Sequence, residues 1–355
     1  MQFFSIKIDC RRGYIIMEKK ITKTELDECA DMIQKCRSEA AKRVVGQTQI
    51  VDGILTALIA GGHVLLEGVP GLAKTLAVKT FAEISGLDFK RIQFTPDLLP
   101  ADVTGTLIYE QGTGKFSVRK GPVFANVVLA DEINRAPAKV QSALLEAMAE
   151  NQVTLGETSY QLPDPFFVLA TQNPIEQEGT YTLPEAELDR FLLKLTVPYP
   201  TPEEEVAIVK TNGIADQIPV RKVFSAALLL KCREAVDAIA VSDDIVNYIV
   251  SLVSVTRPEV ERKNTKRMTI STATKHIDII HYISFGASPR AGIALLRCSK
   301  VAALFAGRSF VLPEDVQAVA HTVLRHRLVL SYEAAADNVT ADDLITKIIE
   351  LMPVP

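Results

Sequence analysis

The sequence predicts a layered α/β core followed by a smaller all-helical domain. Three observations carry this. Short, near-continuous apolar runs alternate with helical patterns between His63 and Pro198, two glycine-turned alternating segments interrupt them, and helix-start signals dominate after Pro198. Val64-Leu65-Leu66, Val127-Val128-Leu129 and Phe166-Phe167-Val168-Leu169 have the composition of strands covered on both faces of a parallel sheet. Strands are expected at His63–Glu67, Phe89–Phe94, Asn126–Ala130 and Phe166–Thr171, with a helix at Ala138–Glu150.

The alternating segments read as hairpins. One runs from Gly105 to Arg119 and turns near Gly112-Thr113-Gly114; the other runs from Gln152 to Leu162 and turns at Gly156-Glu157. After Pro198, Thr201-Pro202-Glu203-Glu204 is a capping box with proline at the first helical position. Leu312-Pro313-Glu314-Asp315 and Thr340-Ala341-Asp342-Asp343 repeat the logic. A boundary near residue 200 therefore divides a core at 18–200 from a helical domain at 201–355. Upstream, residues 18–43 read as a helix whose apolar face is Leu26, Ala30 and Ile33, and residues 1–17 are expected to be either disordered or an extension ahead of a true start at Met17.

A chain of 355 residues, 48% hydrophobic, has ample apolar surface for two domains. The net charge of -4 argues against a protein that coats nucleic acid through general charge. No apolar run approaches the roughly 20 residues a membrane helix needs, and no basic leader precedes a long apolar stretch at the N-terminus. Cys10, Cys29, Cys36, Cys232 and Cys298 are scattered, as reduced thiols of a cytoplasmic protein would be. His276/His281 and His321/His326 are five apart, off one helical face, so they are expected to be structural rather than metal ligands.

The sharpest local signal is Gly68-Val69-Pro70-Gly71-Leu72-Ala73-Lys74-Thr75, directly after a buried strand and before a helical pattern. A triphosphate needs inward N–H groups on a tight loop, a helix N-terminus beneath it, a lysine for the terminal phosphates and a hydroxyl for Mg²⁺. Lys74 and Thr75 supply the last two. Ala73 stands where the strict pattern has glycine, which is tolerable only at negative φ. Downstream, the run ending in Ala130-Asp131-Glu132 brings two carboxylates to the end of a buried strand. Asp131 is expected to hold Mg²⁺ and Glu132 to polarise the attacking water; the alternative use of the pair is a cap for the segment after Pro137. Asn173, closing the next strand, is placed to orient that water or touch the γ-phosphate, and is otherwise a turn asparagine before Pro174. Arg290 follows Ser288-Pro289 in a first helical turn, where a cation opposes the macrodipole unless an anion lies nearby. Arg190, in Leu188-Asp189-Arg190-Phe191, suits an arginine finger for a neighbouring subunit, or else a local pair with Asp189 or Glu187.

In this order the elements resemble the AAA+ core: P-loop, acid pair, asparagine sensor, finger and lid-borne arginine. Val44-Val45-Gly46-Gln47 resembles the segment that contacts adenine in such proteins, through Val45 and Gly46. The P-loop with Ala73, Asp131-Glu132-Ile133-Asn134-Arg135-Ala136-Pro137, Ala170-Thr171-Gln172-Asn173-Pro174 and Gly286-Ala287-Ser288-Pro289-Arg290-Ala291 more narrowly resemble the MoxR family, over roughly residues 40–350. The two hairpins match inserts of that branch. The resemblance implies a P-loop AAA+ core, a parallel sheet flanked by helices with two hairpin inserts, followed by an all-α lid. It also implies an ATPase using ATP and Mg²⁺, a homo-oligomeric ring, usually a hexamer, and a chaperone-like role in maturing or activating protein targets, often with a von Willebrand factor A domain partner. One stretch fits poorly: the basic, Thr-rich segment from Arg262 to Thr274 is longer than the family's usual connection.

The rival reading is a helicase-like nucleic-acid motor, since such AAA+ proteins share both inserts and Lys115, Arg119 and Lys120 flank the first hairpin. The acidic balance, the absence of tryptophan and the lack of a dense basic cluster at the hairpin tips weigh against it.

Overall fold

The computed structural model describes residues 4–9, 14–19, 21–69, 74–112, 114–174, 179–210, 214–257 and 281–355. The chain forms two compact units, one of Gln34–Leu229 and one of Met1–Ile33 with Leu230–Pro355.

The N-terminal segment pairs as two antiparallel strands, β1 (Phe4–Asp9) and β2 (Tyr14–Lys19), with Phe4 opposite Lys19 and Asp9 opposite Tyr14. This differs from the expectation of a disordered extension. The signal was the strict alternation of Phe4, Ile6 and Ile8 with Ser5, Lys7 and Asp9, a period-two pattern. Helix α1 follows at Lys23–Ala40, opened by Thr22 and Glu25 in reciprocal hydrogen bonds, Thr22 N to Glu25 Oε2 at 2.9 Å and Glu25 N to Thr22 Oγ1 at 3.2 Å.

The Gln34–Leu229 unit is built on a five-stranded parallel sheet. Its members are β3 (Val64–Glu67), β4 (Phe89–Gln93), β7 (Val127–Asp131), β10 (Phe167–Gln172) and β11 (Leu193–Thr196), in the order β11-β3-β10-β7-β4. The central strands are the apolar runs: β7 is buried throughout and β10 up to its last residue. β4 lies at the edge and exposes Lys90, Arg91 and Gln93, charged and polar groups of the kind that guard an unpaired strand edge. The fifth strand, β11, was absent from the sequence reading. Its alternating Leu193-Lys194-Leu195-Thr196 is too short to stand out, yet it pairs with β3 from Leu193 against Val64 to Thr196 against Glu67.

Helices α3 (Lys74–Ser85) and α5 (Ala138–Glu150) follow apolar periodicity and keep a polar side exposed, whereas α2 (Thr48–Ala60) is buried all round from Ile54 to Ile59. A short helix α4 (Pro100–Thr104) leads into the first hairpin, β5 (Gly105–Glu110) against β6 (Lys115–Lys120). The second hairpin is β8 (Gln152–Leu155) against β9 (Thr158–Gln161). Both stand where the alternation and glycine turns put them. The core between α5, the sheet and the second hairpin gathers Phe94, Val128, Ile133, Leu144, Val153 and Phe191. After a short α6 (Glu185–Leu188), α7 (Pro202–Lys210) starts at the expected capping box: Thr201 N donates to Glu204 Oε2 at 2.8 Å and Glu204 N to Thr201 Oγ1 at 3.3 Å. Residues 214–229 still run with this unit. Arg43 Nε donates to Ile218 O at 2.6 Å, Arg221 N to Glu39 Oε2 at 2.9 Å and Val223 N to Ile84 O at 2.8 Å.

The other unit is mainly helical: α8 (Ala226–Asp237) runs into it, followed by α9 (Asp243–Val255), α10 (Pro289–Phe305), α11 (Pro313–Leu324), a short α12 (Tyr332–Ala336) and α13 (Ala341–Leu351). Its core packs Leu252, Leu295, Val301, Val316, Val323 and Ile345. A two-stranded antiparallel pair, β12 (Ile283–Phe285) with β13 (Val329–Leu330), is added to the helices expected there. The basic Thr-rich stretch and His276 lie outside the described residues. His321 Nδ1 lies 3.0 Å from Asp342 Oδ1. Among the described residues no helix is long and apolar enough to cross a membrane.

Candidate nucleotide-binding and hydrolysis site

Parallel strands end on one side of the sheet, and there the sequence motifs meet. β3 runs through Gly68 and Val69 toward α3, whose first residues are Lys74 and Thr75; Pro70, Gly71, Leu72 and Ala73 lie outside the described residues. Gly68 is a close-approach glycine: a Cβ there would stand 2.9 Å from Val197 Cβ, beyond the end of β11. Its N–H donates to Gln172 O at 3.3 Å, tying the start of the loop to the end of β10. Lys74 Nζ reaches the same place, donating to Gly68 O at 2.5 Å and Gln172 O at 3.4 Å.

Asp131 ends β7 almost buried, at 7% exposure, which an ionised carboxylate tolerates only with strong partners. Thr171, from neighbouring β10, donates its hydroxyl to Asp131 Oδ1 at 2.6 Å. Arg91 of β4 donates through Nε and Nη2 to Oδ2 at 3.0 and 2.7 Å. Thr75 Oγ1 faces that same Oδ2 at 3.5 Å. The Thr75 hydroxyl and the Asp131 carboxylate are thus hard oxygen donors side by side, the donor type a Mg²⁺ ion takes alongside phosphate oxygens.

Glu132 sits one residue on, in the left-handed region at φ 56° and ψ 50°. A side-chain-bearing residue costs on the order of 1–3 kcal/mol in such a sparsely used conformation. The surroundings offset this: Glu132 N donates to Thr171 Oγ1 at 2.8 Å, and Oε2 accepts from Gln93 Nε2 at 2.9 Å with Arg135 Nε 3.1 Å away. The backbone turn swings the carboxylate off the line of the strand, and Thr171 holds both acids through one hydroxyl. Asn173, just past β10, is buried at 4% exposure. Thr171, Arg91, Gln93 and Arg135 were not anticipated as site residues. The available signal was spacing on β4, where Arg91 and Gln93 flank buried Ile92 and so share a face.

The other expected residues stand on other elements of the chain. Val45 is half-buried, and Gly46 adopts φ 73°, the left-handed conformation that favours glycine. Arg190 is exposed beyond α6, and its Nη1 donates to Leu145 O of α5 at 2.7 Å. Glu187, its alternative local partner, accepts from Ser142 Oγ at 3.0 Å. Arg290 is exposed in the first turn of α10, where Ser288 caps as expected, accepting from Arg290 N at 3.2 Å, and Pro289 opens the helix. Arg290 belongs to the helical unit and the acid pair to the sheet unit.

Residues 63–193, which contain the P-loop, acid pair, Asn173 and Arg190, match the family model "ATPase family associated with various cellular activities (AAA)"; residues 279–348 match "AAA lid domain". The chain is 46% identical to Chaperone MoxR1 of Mycobacterium tuberculosis over 91% of its length and 82% of that protein's. It is 43% identical to the uncharacterized protein YeaC of Bacillus subtilis over 88% of its length and 91% of that protein's. A crystal structure of a proposed ATPase from Cytophaga hutchinsonii superposes with a TM-score of 0.82 at 45% identity, covering 94% of this chain and 98% of that one. A parallel sheet that gathers lysine, hydroxyl and acid pair at its strand ends, a matching lid and relatives of this closeness make the chain a member of the MoxR family of AAA+ proteins, a nucleotide-binding ATPase of chaperone-like type.

Proposed function

We propose that this chain is a Mg²⁺-dependent ATPase working as a homo-oligomeric ring, a hexamer, in the cytoplasm, and that it spends ATP to mature or activate a protein target. The observation that carries the chemistry is the meeting of Lys74, Thr75, Asp131 and Glu132 at adjacent ends of α3, β7 and β10. Lys74 binds the terminal phosphates, and the P-loop from Gly68 through Ala73 supplies N–H groups to them. Thr75 and Asp131 hold the metal. Mg²⁺, when bound there, would neutralise charge on the phosphates. Glu132 accepts a proton from the attacking water, with Asn173 orienting that water. Val45 and Gly46 contact the adenine. Arg190 reaches the γ-phosphate of the neighbouring subunit, which requires it to leave the Leu145 carbonyl on assembly, and Arg290 reads the nucleotide from the lid.

For the target, the first hairpin offers an exposed apolar surface: Tyr109 at 53% and Phe116 at 68% exposure, rings 5.3 Å apart, on facing strands. Solvent-facing aromatic pairs of this kind suit protein contact. A von Willebrand factor A domain protein is the expected adaptor, by analogy with the family.

The test is capture in the ATP-bound state. Glu132→Gln loaded with ATP should retain a defined protein partner after nuclease treatment; adding Tyr109→Ser and Phe116→Ser should lose it, while the same two changes in the wild-type background should leave basal ATPase. ATPase stimulated by DNA or RNA with steep salt dependence, and no protein retained, would replace this reading with the nucleic-acid motor.

A further inference from the structure

Arg91 has no part in the motifs that mark the site, yet it makes the strongest contacts with one of the two acids. β4 and β7 pair in parallel with Arg91 opposite Leu129 and Gln93 opposite Asp131, which aims Arg91 along the strand toward the carboxylate. Nε and Nη2 converge on a single oxygen, Asp131 Oδ2, at 3.0 and 2.7 Å, and Nη2 also donates to Gln93 Oε1 at 2.7 Å. The other oxygen, Oδ1, is taken by Thr171. Oδ2 is therefore the oxygen that faces Thr75, and it is the oxygen Arg91 occupies.

The two ends of this ion pair sit in different surroundings: the Arg91 side chain is 50% exposed and that of Asp131 10%. The carboxylate cannot do without a cation, whereas the guanidinium can turn into water at small cost. A dication held on Oδ2 would repel a guanidinium on the same oxygen, so the two compete for it. Resting on the reading of Thr75 and Asp131 as the metal-holding pair, we propose that Arg91 is a displaceable counter-ion for Asp131. It neutralises the buried carboxylate until metal-bound nucleotide arrives, then yields Oδ2, and so sets the metal concentration at which nucleotide is held. Arg91 is a positioning residue in this scheme: it acts on metal and nucleotide through Asp131.

The consequence has opposite signs in two conditions. With metal present, losing Arg91 removes a competitor, so less metal is needed. Without metal, losing Arg91 leaves Asp131 bare beside a polyanion, so nucleotide binds more weakly. An Arg91 that merely braced the edge strand would shift both conditions the same way.

The experiment is equilibrium binding of a fluorescent, slowly hydrolysed ATP analogue to the full chain, as wild type, Arg91→Met and Arg91→Lys. Each is titrated with Mg²⁺ and measured again in excess EDTA, with a melting curve for each variant. Arg91→Met should lower the Mg²⁺ midpoint by about 3- to 10-fold, the scale of a partly exposed charged hydrogen bond, and weaken binding in EDTA. Arg91→Lys, which keeps the charge and a weaker contact, should fall between the two. Equal midpoints in wild type and Arg91→Met, or shifts of the same sign in both conditions, would overturn the counter-ion role and leave the metal pair standing. A wild type whose nucleotide binding ignores Mg²⁺ would overturn the metal pair, and the counter-ion role with it.

Discussion

Thr171 shows how much of the chemistry rests on groups that are not themselves reactive. Its hydroxyl donates to Asp131 and accepts from the Glu132 N–H, so one oxygen fixes a carboxylate and a strained backbone together. Thr171→Val keeps the shape and removes both bonds. It should cost about 1–3 kcal/mol of stability, since a buried acceptor and a buried N–H lose a partner, seen as a lower urea midpoint, and should slow turnover. A variant as stable and active as wild type would show that neither bond matters. At this scale the sequence was legible where chemistry is local and opaque where it is not. Lys74-Thr75 and Asp131-Glu132 announce themselves as neighbours in the chain. Thr171 and Arg91 reach Asp131 from 40 residues away on either side, and only strand order and register reveal that they meet.

Elements carry stability in a way that caps and burial make measurable. Ser242 opens α9 by accepting from Ile245 N at 3.3 Å, and Thr340 opens α13 by accepting from Asp343 N at 3.2 Å. Thr340→Ala should cost about 1 kcal/mol, read as a lowered melting temperature; an unchanged melting temperature would contradict the cap. Leu129, fully buried in β7, should cost about 2–5 kcal/mol when cut to alanine. Two helix thiols make a pH prediction. Burial pushes Cys36 on α1 and Cys298 on α10 up to about 12 from 9.0. The raised folded value means their stabilising contribution is whole below pH 9 and erodes as pH climbs from 9 toward 12. Accordingly, native protein at pH 8 should leave both unlabelled by a thiol reagent, and urea should expose them. Rapid native labelling at either would contradict its burial. Strands with strong apolar runs and helices with proline-opened caps were readable, because each signal is complete within one element. β11 was not, since four residues carry too little pattern and its place is set by pairing with β3.

For the whole molecule, the chain divides at Leu229/Leu230 where compactness is the criterion, while composition changes near residue 200. Residues 18–33, expected with the core, group with the helical unit, and the stretch up to 229 stays with the sheet unit, where hydrogen bonds tie 218–223 to Arg43, Glu39 and Ile84; no local pattern announces bonds that reach back so far. A site shared between subunits is likewise invisible in one chain. If Arg190 acts across the interface, inactive Arg190→Ala and inactive Lys74→Ala subunits should regain activity when mixed, because each supplies what the other lacks, and loss of such a finger costs about 10³-fold or more. Co-assembled mixtures that stay inactive would place Arg190 outside the catalytic step.

Glu132 is the one residue assigned to activate water, so removing its carboxylate tests hydrolysis at this site most directly. The measurement is ATP binding and turnover side by side for wild type and Glu132→Gln, which preserves size and the contact with Gln93 while removing the base. Binding should be retained and turnover should fall by about 10²-fold or more. Turnover by Glu132→Gln equal to that of wild type would contradict the assignment.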